Sequence, residues 1–120
     1  MEQDLKSASS VCPYYHEAIE LIGRRWTGAV VQALFAGPTH FSEIAQVVPQ
    51  ISDRLLSTRL KELEAAGIVS RCVVDGAPVH VEYQLTAKGR ALEPALFAIK
   101  SWAREWLELT PGDGASTVGS

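Results

Sequence analysis

Apolar residues along this chain fall into one run of helical spacings, a short stretch of alternation, and a return to helix. In "PYYHEAIELIGRRW" they stand at positions 15, 18, 19, 22 and 26, which predicts a helix ending near Gly23. "TGAVVQALFAG" is apolar around its whole axis, as expected of a central buried helix, with Thr27 as the expected N-cap and Gly37-Pro38 as the stop. "THFSEIAQVVP" predicts a short helix capped by Ser42, facing Ile44, Ala45 and Val48 inward and stopped by Pro49. "ISDRLLSTRLKELEAAG" predicts a fourth helix, with Ser52 as N-cap and Gly67 at its end.

The period then changes. "IVSRCVV" and "VHVEYQL" alternate and are rich in β-branched residues, and "DGAP" between them is a turn signal, so residues 68–85 predict a β-hairpin. Residues 86–109 return to helical spacing, with Pro94 expected to kink or restart the helix. The order helix, helix, helix, tight turn, helix, hairpin, helix is that of a winged helix-turn-helix: a mainly α fold with a β-hairpin wing. Residues 1–11 are expected to form a flexible arm, 12–109 the domain, and 110–120 a disordered tail.

At 120 residues the chain is expected to hold one domain, and its 47% apolar and 21% charged residues suit a globular protein. It contains no apolar run near the roughly 20 residues that cross a bilayer, and its polar start lacks a secretory core, so the cytoplasm is the expected compartment. The net charge is −3, but residues 51–90 carry a net +1 while 91–120 carry a net −2. A site for a polyanion must therefore be one local face.

On a wheel of about 100° per residue, the fourth helix places Leu56, Leu60 and Leu63 on one side and Arg54, Ser57 and Lys61 on the other, with Thr58 at their edge. A major groove accepts a helix with one face presented. Arg54 can make two bonds to a guanine, Ser52, Ser57 and Thr58 can reach bases or phosphates, and Lys61 suits phosphate. In the hairpin, Arg71 is the candidate for a backbone contact, unless it pairs with Glu82 across the strands. His16, His40 and His80 are scattered without catalytic or metal-ligand spacing, and there is no Gly-rich phosphate loop. Neither an enzyme, a cofactor nor a metal is expected.

In the last helix Leu92, Ile99 and Trp106 repeat every seven residues, as do Ala95, Trp102 and Leu109. That pattern predicts a seam between two copies of the chain. A two-fold dimer would set two reading helices about one DNA turn apart and favour a palindromic operator.

Several segments also resemble the HxlR-type regulators, a MarR-like family of winged-helix transcription factors. They are "CPYYHEAIELIGRRWTGAVVQAL", with Cys12-Pro13 and the Gly23, Arg25, Trp26, Thr27 element, then "HFSEIAQVVPQISDRLLSTRLKELEAAGIVSR" and "VHVEYQLTAKGRALEPAL". The resemblance covers about residues 12–108. It implies a homodimer on double-stranded DNA, with Ser52, Arg54, Ser57 and Arg59 near the duplex. On the wheel Arg59 lies toward the leucines and ranks below Arg54. The resemblance also makes Cys12 the candidate sensor of oxidants or electrophiles, and the positive end of the first helix would favour its thiolate. Cys72, in a strand, is expected to be buried. Two other readings stay open: release by a small apolar effector held among Tyr14, Tyr15, Phe97 and Trp102, and a protein-interaction adaptor that has lost DNA.

Overall fold

The computed structural model describes residues 11–109; the predicted arm apart from Val11, and the predicted tail, lie outside them. Six helices and one hairpin follow in order: α1 (Pro13–Ile22), α2 (Thr27–Leu34), α3 (Phe41–Val47), α4 (Asp53–Ala65), β1 (Val69–Val74), β2 (His80–Leu85), α5 (Ala87–Arg90) and α6 (Glu93–Trp106). The predicted winged helix-turn-helix is the fold observed.

The core is built around α2. Val30, Val31 and Leu34 are fully buried, and α2 packs against α1, α3, α4, α6 and β2. Ile44 and Val48 close the core from α3, Leu56, Leu60 and Leu63 from α4, and Val69 and Leu85 from the hairpin. Burying each Leu, Ile or Val contributes about 1.5–3 kcal/mol, so this one cluster accounts for most of the domain's cohesion.

Two expected caps are corrected. Thr27 is not the N-cap of α2 but its first residue, 1% exposed, with a hydroxyl that has no partner. The N-cap is Trp26, held at φ 75°, a left-handed conformation that costs a non-glycine residue roughly 1–2 kcal/mol. Long-range contacts hold that turn, as described below. Ser42 does not cap α3 either. His40 is the N-cap, and Glu43 Oε1 accepts from the Thr39 hydroxyl at 2.6 Å and from the His40 amide at 3.1 Å. The Thr39 bond, ahead of the His40 amide, holds the Glu43 carboxyl below the usual carboxylate range.

The ends of α4 match their prediction. The Ser52 oxygen accepts from the Leu55 amide at 3.1 Å, a cap worth about 1 kcal/mol. At the other end Ile68 N donates to Leu63 O at 2.9 Å and Gly67 N to Glu64 O at 3.0 Å, with Gly67 at φ 77°. The chain thus passes from helix to β1 within three residues. The expected last helix is broken as Pro94 requires, into α5 and α6. β1 and β2 pair antiparallel from Val69 opposite Leu85 to Val74 opposite His80, and Thr39 bridges Tyr83 on the outer edge of β2.

Candidate nucleic-acid interface

Helix α4 lies with its leucines in the core, so its other face is turned out by geometry alone. Arg54, Thr58 and Lys61 are exposed, Ser57 is half-buried beside them, and Ser52 stands exposed at the helix start. Neither Arg54 nor Lys61 makes an ion pair among the described residues. The Ser52 oxygen accepts the capping bond, which leaves its O–H free to donate. Thr58 has spent its donor on the Arg54 carbonyl at 3.1 Å and keeps its lone pairs. The face therefore offers a guanidinium, an ammonium and a serine hydroxyl, all donors, with Ser52 and Arg54 at the positive end of the helix and Lys61 two turns further along. This set suits phosphates and the acceptor edges of purines.

Arg59 does not belong to that face, and its expected place near DNA is corrected. Its side chain is 16% exposed. Nε donates to the Arg25 carbonyl at 2.9 Å, and Nη1 donates to Glu62 at 3.0 and 3.2 Å. Glu62 also meets Arg24 at 3.1 Å. Arg59 thus ties the α1–α2 turn to α4. The Arg25 guanidinium lies 5.2 Å from the centre of the Trp26 ring. This clamp holds Trp26 in its left-handed conformation. The sequence showed four charges here but not which of them meet.

In the wing, Arg71 is exposed and stands opposite Tyr83, not Glu82 as one reading of the sequence had it. Glu82 stands opposite Cys72 and turns to His80, with Oε2 3.5 Å from Nε2. The wing tip, residues 75–79, is exposed throughout.

The burial expected of Cys72 is not found. Cys72 is exposed on the wing, whereas Cys12 is 6% exposed at the start of α1 and lies outside the main core cluster. Both are free thiols.

The far end of the molecule carries an apolar surface. On α6, Ile99, Trp102 and Trp106 are each more than half exposed, as is Phe97, and Ala95 is exposed beside them. Two members of the predicted seam sit differently. Leu92 is the N-cap of α6 and packs against the domain's own core, and Leu109 lies beyond the helix end at Trp106. Helix α1 buries none of its residues fully, and its Tyr14 and Tyr15 are 81% and 62% exposed. Of the four aromatics expected around an effector, Phe97 alone lines the small cavity between α2 and α6, with Gln32, Phe35, Glu93, Leu96 and Lys100. Its volume is about 150 Å³.

His40 and His80, scattered in the sequence, are brought into ring contact with centroids 4.8 Å apart. Only the register of the hairpin against α3 could have revealed it.

Residues 21–111 match the model of the HxlR-like helix-turn-helix family. The chain is 45% identical over 100 residues to the HTH-type transcriptional regulator YvaP of Bacillus subtilis, which covers 83% of this chain and 93% of that protein. It is similar to the solved reduced form of the transcriptional regulator YodB from B. subtilis, at 43% identity and a TM-score of 0.75, over 86% of this chain and 99% of that one. It is also similar to quinone-bound YodB, at 40% identity and a TM-score of 0.71, over 80% and 100% of the two chains.

Proposed function

The chain belongs to the HxlR-like helix-turn-helix family, and on that premise we propose that it is a sequence-specific, DNA-binding transcriptional regulator working as a homodimer in the cytoplasm. The outward face of α4 carries the reading. Among the described residues Arg54 and Lys61 stand there without ion-pair partners, on a helix whose opposite side is fully committed to the core. Arg54 reads a base, Ser52, Ser57, Thr58 and Lys61 hold the backbone, and Arg71 meets a phosphate from the wing. Arg59 acts indirectly, by fixing α4 against the α1–α2 turn. No helix among the described residues is long and apolar enough to cross a membrane, which suits this compartment.

Arg54→Ala should weaken binding to a palindrome from the regulator's own promoter by about 1–3 kcal/mol, a loss of roughly five- to 150-fold, in a gel shift with competitor DNA. Lys61→Ala should lower affinity for all sequences alike and reduce the salt slope by about one. If neither variant changes binding, α4 is not the reading helix. A protein-interaction adaptor would show no competitor-resistant shift at all.

The response is assigned to Cys12. Similarity to a regulator solved with a bound quinone favours thiol chemistry. The cavity beside Phe97, about 150 Å³, is small against the roughly 300 Å³ and more of ordinary ligand sites. Cys12 is buried, but α1 buries none of its own residues, so lifting this end exposes the thiol at low cost. Diamide or a quinone should release the wild-type protein from DNA, with the modification located at Cys12 by mass spectrometry. Cys12→Ser should remain bound. Cys72→Ser should respond like the wild type. A Cys12→Ser protein that still lets go would remove Cys12 from the mechanism.

A further inference from the structure

The junction of wing and α3 gathers the side chains of a metal site. His40 caps α3, His80 opens β2, and Glu82 lies two residues along on the same face of the hairpin. One ligand atom from each residue falls within 4.8 Å of the others, and all three residues are half-buried. His80 Nε2 and Glu82 Oε2 are 3.5 Å apart. Two ligands on a tetrahedral zinc ion stand about 3.4 Å apart, given bonds near 2.05 Å, so this pair is already at its bonding separation. The third ligand must close by no more than roughly 1.4 Å, within reach of side-chain rotation.

The ring contacts are compatible with this. His40 Nδ1 lies 3.3 Å from the Val81 carbonyl and His80 Nδ1 lies 3.4 Å from the Pro78 carbonyl. A carbonyl only accepts, so each ring can donate from Nδ1 there, and a bound cation would take the place of any proton on Nε2, which in His80 faces Glu82 Oε2. Metal-binding histidines are oriented by the same kind of bond. We propose that His40, His80 and Glu82 bind a divalent zinc-class cation, with water in the fourth position, which ties the wing to the first helix of the helix-turn-helix motif. Two imidazoles and one carboxylate favour zinc, cobalt or nickel over magnesium or calcium. The site stands apart from the α4 face and does not rest on the regulatory reading.

The test uses the untagged full chain, stripped with a chelator and titrated with cobalt(II) and then zinc(II). The expected result is one equivalent per chain, a visible d–d spectrum of four-coordinate cobalt, and a higher melting temperature with zinc. Millimolar magnesium should give no shift. Disturbing even an outer partner of a metal ligand costs about ten- to a hundredfold in affinity, so losing a ligand should cost at least a hundredfold. That loss is expected in His80→Gln and in Glu82→Gln, both on the partly exposed strand, where the fold should survive. Cys72→Ser, across the ladder from Glu82, should bind as the wild type does. Absence of stoichiometric uptake by the wild type, or uptake undiminished in His80→Gln, overturns the proposal.

Discussion

Trp102→Asp is expected to turn the proposed dimer into a monomer and to weaken operator binding by a hundredfold or more. The tryptophan is 57% exposed in the single chain, within an apolar stripe that includes Phe97, Ile99 and Trp106. A tryptophan side chain can bury 150–250 Å², and a two-fold seam buries one from each copy. Aspartate there brings two carboxylates into an apolar contact, which costs several kcal/mol. A monomer also loses the advantage of a tethered second reading head, an advantage of about 10²–10⁴ in affinity. Sedimentation should show half the wild-type mass. The circular dichroism and local fold should hold, because Trp102 is not part of the domain's own core. A variant that sediments as the wild type does would place the seam elsewhere, with α1 and its exposed Tyr14 and Tyr15 the next surface to examine.

The second large effect is expected at Gly89. This residue is buried in α5, where a Cβ would collide with the backbone carbonyl of Ile68 and press on Leu85 Cδ2 at 3.0 Å and Ile68 Cγ2 at 3.1 Å. The obstacle is main chain that is already engaged. Ile68 O accepts from the Thr86 amide at 3.0 Å, and Thr86 Oγ1 accepts from the Gly89 amide at 3.1 Å. Gly89→Ala must push α5 off the hairpin, at about 2–4 kcal/mol. In a domain of this size that lowers the melting temperature by on the order of 10 °C. Gly28→Ala is the control. A Cβ there meets nothing within 4 Å, in a helix that prefers alanine, so the melting temperature should stay level or rise slightly. If the two variants melt alike, packing at Gly89 has been overestimated.

Local chemistry made much of this molecule legible in advance. The period of the leucines placed α4 and its outward face, Ser52 and Gly67 marked its ends, and Pro94 marked the break before α6. Each of these signals acts within one or two turns of its own residue. The misreadings share the opposite property. Thr27 has the chemistry of a cap, yet the turn before α2 is set by Arg59, which reaches the Arg25 carbonyl from another helix. Arg59 itself looked like a DNA contact until Glu62 and that carbonyl were seen to hold it. Cys72 alternates like a buried strand residue, but among the described residues the sheet has two strands, and Cys72 is exposed on it. His40 and His80 meet because β2 docks against the start of α3, a contact no spacing rule encodes.

The joint after α4 has a consequence for how the protein would meet a duplex. The carbonyls at the helix end are held from α5 and its N-cap: Lys88 Nζ donates to Ala66 O at 2.7 Å, and the Thr86 hydroxyl donates to Gly67 O at 2.5 Å. Strand β1 starts two residues later, so the angle between helix and wing is locked at both its inner and outer margins. On the proposed reading, groove-reader and phosphate-toucher would arrive as one stiff jig. Any misfit at a half-site falls on the nucleic acid, which must twist or narrow to suit. Operators that differ in the flexibility of base pairs the protein never touches should then be ranked by that flexibility.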